Sequence, residues 1–195
     1  ILPGLIMMNV ITNAYNNTAS SMLQMKLLQQ IQDMLITPLS NVELALAFII
    51  GGAVRGFVNG ILVLLLGIFI VGMPVEKPFS VILIIFMVSW AFSSIGLVIG
   101  ITAQTWDNIA TMVNFFITPL IFLGGVFYSI NMLPGFWRTI SLLNPIYYVI
   151  NGLRQSVLGV GDTPFSTSLT ASIIMTLLFS SIGIFLFHKG YRIKS

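Results

Sequence analysis

The sequence predicts an all-α, polytopic helical membrane protein, and three observations carry that prediction. Of 195 residues, 57% are hydrophobic and only 7% charged, where a soluble domain carries about a quarter charged residues. The apolar residues fall in continuous runs long enough for helical spans of about 20 residues each. An outer-membrane barrel would instead show many short alternating segments with polar lumen faces. The formal charge of +3 is small and scattered, so no nucleic-acid partner is expected. Without cysteine the chain holds no disulfide, thiolate metal site or cysteine nucleophile. It opens Ile1-Leu2-Pro3 with neither an initiator Met nor a basic leader, which reads as a fragment or a processed product.

Residues 1–23 form the first expected span. Asn9, Asn13, Asn16 and Ser20 recur at helical spacing and share one face. Asparagine in hydrocarbon needs partners, so this face serves either as interhelical hydrogen-bond glue or as the lining of a polar path. Residues 24–39 change character. Leu27, Leu28, Ile31, Met34 and Leu35 occupy one helical face, and Lys26, Gln29, Gln30, Gln32 and Asp33 the other. Such a segment is too polar to span and reads as an amphipathic surface helix that stops at Thr37-Pro38.

A capping box, Ser40-Asn41-Val42-Glu43, starts the second span, residues 42–71. Gly52, Gly56 and Gly60 stand four apart in it, a spacing that lets another helix approach closely. Arg55, three turns in, must reach the interface or find a partner. A turn with Pro74 and Pro78 leads to the third span, residues 79–103, with Ser89, Ser93, Gly96 and Gly100 as a small-residue face. Asp107 is a natural N-cap for the fourth span, residues 109–128. This span carries a second polar stripe, Thr111, Asn114 and Thr118, with a kink expected at Thr118-Pro119 and Gly124-Gly125 near its end.

Residues 129–165 are long for a loop and mix aromatics with Arg138, Arg154 and prolines. They predict short interfacial or re-entrant helices on one membrane face. The fifth span, residues 166–187, precedes the basic tail 188–195. Lys189, Arg192 and Lys194 lie just past a span and place that tail inside. The 24–39 helix is then cytoplasmic and the 129–165 segment external, with Lys26, Lys189, Arg192 and Lys194 inside against Lys77, Arg138 and Arg154 outside.

No catalytic constellation is visible. His188 is the one histidine, and there is no nucleophile elbow, phosphate-binding loop, metal-ligand cluster or intramembrane carboxylate pair. An ion-coupled transporter would be expected to place acids or histidine inside its spans. Here the acids sit at span ends or in loops, so energy for transport must come from elsewhere.

The residues resemble a family at this point. Gly124-Gly125-Val126-Phe127, then Leu133-Pro134, then about ten residues later Leu143-Asn144-Pro145 with Tyr148 and Arg154, look like the signature of ABC-2 type transporter permeases. The opening Pro3-Gly4-Leu5-Ile6-Met7-Met8 and the stretch through Pro38 look like the bacterial inner-membrane exporter branch. The resemblance covers essentially the whole chain. It implies six spans, hence a missing first span and its preceding amphipathic helix. It further implies a multi-pass subunit of the bacterial inner membrane that dimerises with a second permease copy, as a homodimer, and binds two cytoplasmic ABC ATP-binding subunits. Those partners hold ATP and magnesium, while this chain is no enzyme and holds no cofactor. The implied substrate is hydrophobic or amphipathic: a drug, a lipid-linked glycan or an envelope component. A passive pore and a structural membrane anchor are the alternatives.

Three groups of residues follow. Lys26, Gln29, Gln30, Gln32 and Asp33 are the expected coupling surface for the ATP-binding subunit. Asn9, Asn13, Asn16, Thr111, Asn114 and Thr118 are the expected pathway lining, beside Phe115 and Phe122. Leu133, Pro134, Asn144, Pro145, Tyr148 and Arg154 are the expected external gate, with Asn144 as the N-cap of a helix begun by Pro145.

Overall fold

The structure, a computed structural model, describes residues 1–35 and 38–190, and among these leaves aside the side chains of Gln32 and Leu35. The expected stop at Thr37 and the cations Arg192 and Lys194 of the tail lie outside the described residues, as does the side chain of Gln32. All regular structure among the described residues is helical. The helices are α1 (Leu2–Leu27), α2 (Gln30–Leu35), α3 (Asn41–Val71), α4 (Pro78–Thr102), α5 (Trp106–Met112), α6 (Thr118–Leu123), α7 (Gly135–Leu143), α8 (Pro145–Leu158) and α9 (Phe165–His188). A π-helical segment, Val113–Ile117, joins α5 to α6, and a 3-10 turn, Ile130–Met132, precedes α7.

Four helical stretches are long and apolar enough to cross a membrane: α3, α4, the composite 106–123 and α9. The expected first span, α1, is long enough at 26 residues, but its asparagines set it apart in composition from those four. It lies instead at the centre of the bundle, packed on both α3 and α4. Ile6, Met7, Val10, Ile11, Ala14, Tyr15 and Ala19 are all fully buried there.

Small residues place it. A Cβ on Gly56 would stand 2.6 Å from that of Ala14 and 3.2 Å from Ser89 Oγ. One turn away, a Cβ on Gly52 would strike Thr18 Oγ1 and come within 2.5 Å of Ser93 Oγ. One turn the other way, Gly60 meets Val10 and Ile85. Three tiers result, Val10–Gly60–Ile85, Ala14–Gly56–Ser89 and Thr18–Gly52–Ser93, with four-residue steps in all three helices. Gly96 and Gly100 of α4 press on the Tyr15 and Ala19 carbonyls in the same way, at 2.6 and 3.0 Å. In the innermost tier Ser93 donates to the Ile49 carbonyl at 2.6 Å, and its Oγ lies 2.7 Å from Thr18 Oγ1. Since the Ser93 proton goes to Ile49, Thr18 donates to Ser93, and three helices share one buried chain of hydrogen bonds.

Several expected boundaries move. The capping box forms, with Glu43 N–H donating to Ser40 Oγ and Ser40 N–H to the Glu43 carboxylate at 2.7 Å. The expected amphipathic helix over 24–39 is not continuous. Residues 24–27 extend α1, Gln29 turns the chain at φ 58°, and α2 is a separate six-residue helix. Just before the break Lys26 donates to the Ile101 and Ala103 carbonyls at 2.6 and 2.7 Å, at the end of α4, where a cation satisfies carbonyls left over by the helix. Asp107 is not the N-cap of α5. Thr105 holds that position and Asp107 sits in the first turn. The fourth span ends at Leu123 rather than at residue 128, because Gly125 takes φ 83°, a conformation open to glycine. The distortion near Pro119 appears as the π-helical segment ahead of it.

Gly51 and Gly56 offer a paired test on one helix. Gly51 is exposed with nothing within 4 Å of a Cβ, so Gly51→Ala should hold or slightly raise the melting temperature in detergent. Gly56→Ala should lower stability by about 1–3 kcal/mol through overpacking.

Candidate functional site

The asparagine face of α1 points away from the three tiers and is left uncovered. Asn13, Asn16, Asn17 and Ser20 line one wall of a cleft of about 430 Å³, Arg55 of α3 another, and Trp106, Ile109 and Ala110 of α5 a third. Asn13 donates to the Asn9 carbonyl and side chain at 3.0 and 3.2 Å, so these two residues satisfy each other along α1 instead of joining helices. Across the cleft Arg55 donates to Asn17 Oδ1 at 2.8 Å. Asn16 is exposed and bonds to nothing among the described residues. Thr18, on the opposite side of α1, carries the buried hydrogen bond to Ser93 of α4.

The second stripe is placed differently. Thr111 and Asn114 are exposed and Thr118 half-buried, and α5 turns Trp106, Ile109 and Ala110 to the cleft instead. No hydrogen bond among the described residues joins Asn9, Asn13 or Asn16 to Thr111, Asn114 or Thr118, so the two stripes do not seal against each other within one chain. Asn114, Phe115 and Phe116 lie in the π-helical segment, with Phe115 73% exposed. Widening of the helix there changes which side chains share a face, and residue spacing alone could not foresee it.

On the coupling side, Gln29, Gln30 and Asp33 are exposed around the α1–α2 corner, while Ile31 anchors α2 among Met22, Leu44, Ile101 and Phe187. Lys26 is drawn inward to the end of α4, away from that exposed group.

The 129–165 segment is more deeply built than a surface belt. The composite helix 106–123 rises about 27 Å against about 46 Å for α3, and α8 packs on α9, α4 and α1. Asn144 caps α8, accepting from Ile146 N–H at 3.0 Å, and its amide donates to the Leu120 carbonyl at 2.5 Å. The Asn144-Pro145 start of that helix is as expected. Leu133 and Pro134 precede Gly135, the first residue of α7, again at the expected boundary. Tyr148 donates to the Leu142 carbonyl at 2.9 Å and ties the α7–α8 corner. The far end of α8 is closed by Glu76 and Lys77, whose N–H groups donate to Val157 and Ser156. Ile150, Leu153 and Val157 are fully buried, so α8 is inserted into the bundle, while α7 exposes Phe136 and Trp137.

Arg154 is the hub of this region. It donates to the Gly125 and Tyr128 carbonyls and pairs with Asp162 at 3.6 Å. Asp162 also accepts from Ser129 Oγ at 2.6 Å and Asn131 Nδ2 at 2.8 Å, while its own N–H donates to Asn151. Sequence reasoning missed Asp162 and Asn151. The available signal was a lone acid in the Gly159–Pro164 break, eight residues after Arg154 in an otherwise apolar segment. No group of acids and histidine that could hold a metal occurs among the described residues.

A family model described as ABC-2 type transporter matches residues 1–158. Inner membrane transport permease YadH of Escherichia coli K12 is 40% identical over 195 residues, all of this chain and 76% of that protein. Nodulation protein J of Rhizobium meliloti is 26% identical over 76 residues, 39% of this chain and 29% of that protein. Nodulation protein J of Rhizobium leguminosarum bv. viciae is 30% identical over 69 residues, 35% and 27% respectively. No solved structure matches the chain significantly.

Removing one side of the ion pair leaves a partly buried charge uncompensated. Asp162→Ala should cost about 2 kcal/mol or more, read as a lower melting temperature and faster proteolysis between residues 124 and 131. Asp162→Asn, which keeps an acceptor for Ser129, should lie between it and the unaltered protein.

Proposed function

The chain belongs to the ABC-2 type transporter family, and from that premise we propose that it is the permease subunit of an ATP-driven exporter for a hydrophobic or amphipathic substrate. It is a multi-pass inner-membrane protein and a membrane transport permease. The finer reading adds an ABC ATP-binding partner that holds ATP and magnesium, a second permease copy, and outward transport. One observation carries it. A helix at the centre of an apolar bundle keeps Asn9, Asn13 and Asn16 unsealed by other helices, beside an open cleft. Asparagine left uncovered by other helices in an apolar bundle is costly where it faces hydrocarbon, and a polar path gives those side chains a use.

The parts then take roles. Asn9, Asn13 and Asn16 from α1, with Thr111, Asn114 and Thr118 from the 106–123 helix, line the path, the two stripes meeting across paired copies. Gln29, Gln30 and Asp33, with Gln32 and the corner fixed by Lys26, receive the movement of the ATP-binding partner. Moving a two-state gate from 1:99 to 99:1 takes about 5.5 kcal/mol of differential binding. Lys26 ties that corner to the end of α4, so movement received there reaches both helices. Leu133, Pro134, Asn144, Pro145, Tyr148 and Arg154 form the external gate.

Asn13→Leu and Asn114→Leu should abolish or re-tune substrate-stimulated ATPase activity while leaving assembly with the ATP-binding subunit unchanged. Loss of assembly in both, with no selective transport effect, would overturn the pathway role. Cysteines at Gln29 or Asp33 should crosslink to the ATP-binding subunit, and failure at both positions would remove the coupling role.

A further inference from the structure

Arg55 is the cation the proposed pathway leaves unused. Its helix, α3, is about 46 Å long against about 30 Å of hydrocarbon. Phe69, Ile70 and Val71 at its outer end are 81%, 76% and 61% exposed, so they belong in lipid, and the excess length falls at the Asn41 end. Counting back about 20 residues from Val71 sets the inner boundary of the hydrocarbon near Gly52, with Arg55 one turn inside it. Trp106, the first residue of α5, stands in the same cleft, and tryptophan favours the headgroup level. Ser20, also in the cleft, is seven residues from the end of α1, about 10 Å away. The cleft therefore opens at headgroup depth on the face that holds the C-terminal end of α1.

The electrostatics of that cleft are one-sided. Arg55 is exposed, and one of its donors is held by Asn17 Oδ1. No carboxylate among the described residues lies within ion-pair distance of it. Asp107, exposed beside Trp106, is the acid adjoining the cleft wall in sequence, and it too is unpaired with Arg55. Asn16 adds a neutral amide donor beside the guanidinium, while Asn13 and Ser20 donate along α1 to Asn9 and to the Asn17 carbonyl. An uncompensated guanidinium with amide neighbours at headgroup depth matches an anionic oxygen group on a molecule whose tail remains in lipid.

We propose that the Arg55–Asn17–Trp106 cleft binds the phosphate or carboxylate headgroup of an anionic amphiphile in the membrane leaflet on that face. This deepens the proposed transport reading by naming the charge class of the ligand, and it rests on that reading only for the claim that the ligand is carried onward. Binding itself is measured without ATP. The full chain is reconstituted in phosphatidylcholine vesicles, and the fluorescence component lost in Trp106→Phe is followed as brominated lipids are added. Brominated phosphatidic acid and phosphatidylglycerol should quench it more than brominated phosphatidylcholine at equal mole fraction. Arg55→Gln should lower that preference about fivefold. Asn17→Asp, which sets a counter-ion beside Arg55 with little change in shape, should lower it similarly, and Arg55→Lys should retain part of it. Inorganic phosphate serves as the free-anion arm. Failure to displace the lipid at millimolar levels marks the amphiphile as the ligand, and quenching relief by phosphate without any lipid preference overturns the proposal. Equal quenching by all lipids, or an unchanged preference in both Arg55→Gln and Asn17→Asp with helicity intact, also overturns it. A lipid preference that persists in Asn114→Leu, whose side chain does not line the cleft, while transport is lost separates this site from the pathway reading.

Discussion

The close contact of α1 with α3 and α4 is the constraint on which the rest of the structure depends. Gly52, Gly56 and Gly60 meet Thr18, Ala14 and Val10 one turn apart, and Ser93, Ser89 and Ile85 complete each tier. Between membrane helices there is little hydrophobic drive, since lipid tails are as apolar as leucine. Association has to come from van der Waals contact at short range and from a few hydrogen bonds. Glycine at the contact removes the side chain that would hold the backbones apart. The Thr18–Ser93–Ile49 chain then adds polar links, each worth about 0.6 kcal/mol on average in such settings.

That contact decides what α1 does with its polar residues. Val10, Ala14 and Thr18 face the glycines, so Asn9, Asn13 and Asn16 on neighbouring faces are turned out of the packed core. The same helix is the buried centre of the bundle on one side and the wall of an open cleft on the other. Hydrogen bonds between Asn9 and Asn13 keep the polar face tolerable without closing it. Arg55 reaches the cleft because it sits one residue before Gly56, beside the contact that brings α3 against α1.

The two ends of the bundle are secured by different chemistry. At the end of α4, Lys26 holds two backbone carbonyls and ties the α1–α2 corner to α4, while Gln29, Gln30 and Asp33 stay in solvent. At the opposite end Arg154 and Asp162 draw together the Gly125–Ser129 stretch after α6, the 3-10 turn ahead of α7 and the loop before α9. Cations therefore close both ends by binding carbonyls, and Arg154 is also neutralised by its ion pair with Asp162 in a partly buried setting. A stiff corner at one end and an inserted α8 at the other leave the uncovered α1 face as the open side of the single chain.

The sequence by itself determined the helices and their small-residue faces. The apolar runs, the Ser40–Glu43 box, the Gly52–Gly56–Gly60 spacing and the Asn144-Pro145 start are local features, set by residues within a turn or two of each other, and they are legible for that reason. The asparagine face of α1 was legible too, because a helix fixes which residues share a side. Tertiary structure alone decided where helices stop and which polar groups meet. Lys26 leaves its amphipathic face for carbonyls some 75 residues away, Arg154 finds Asp162 across a loop, and Arg55 finds Asn17 on another helix. Asn114 lies in the π-helical segment, where the widened turn changes which side chains share a face. Charge and hydrogen-bond partners across long separations depend on which backbones come close, and that is settled by the glycine contacts of the assembled bundle rather than by any periodicity along the chain.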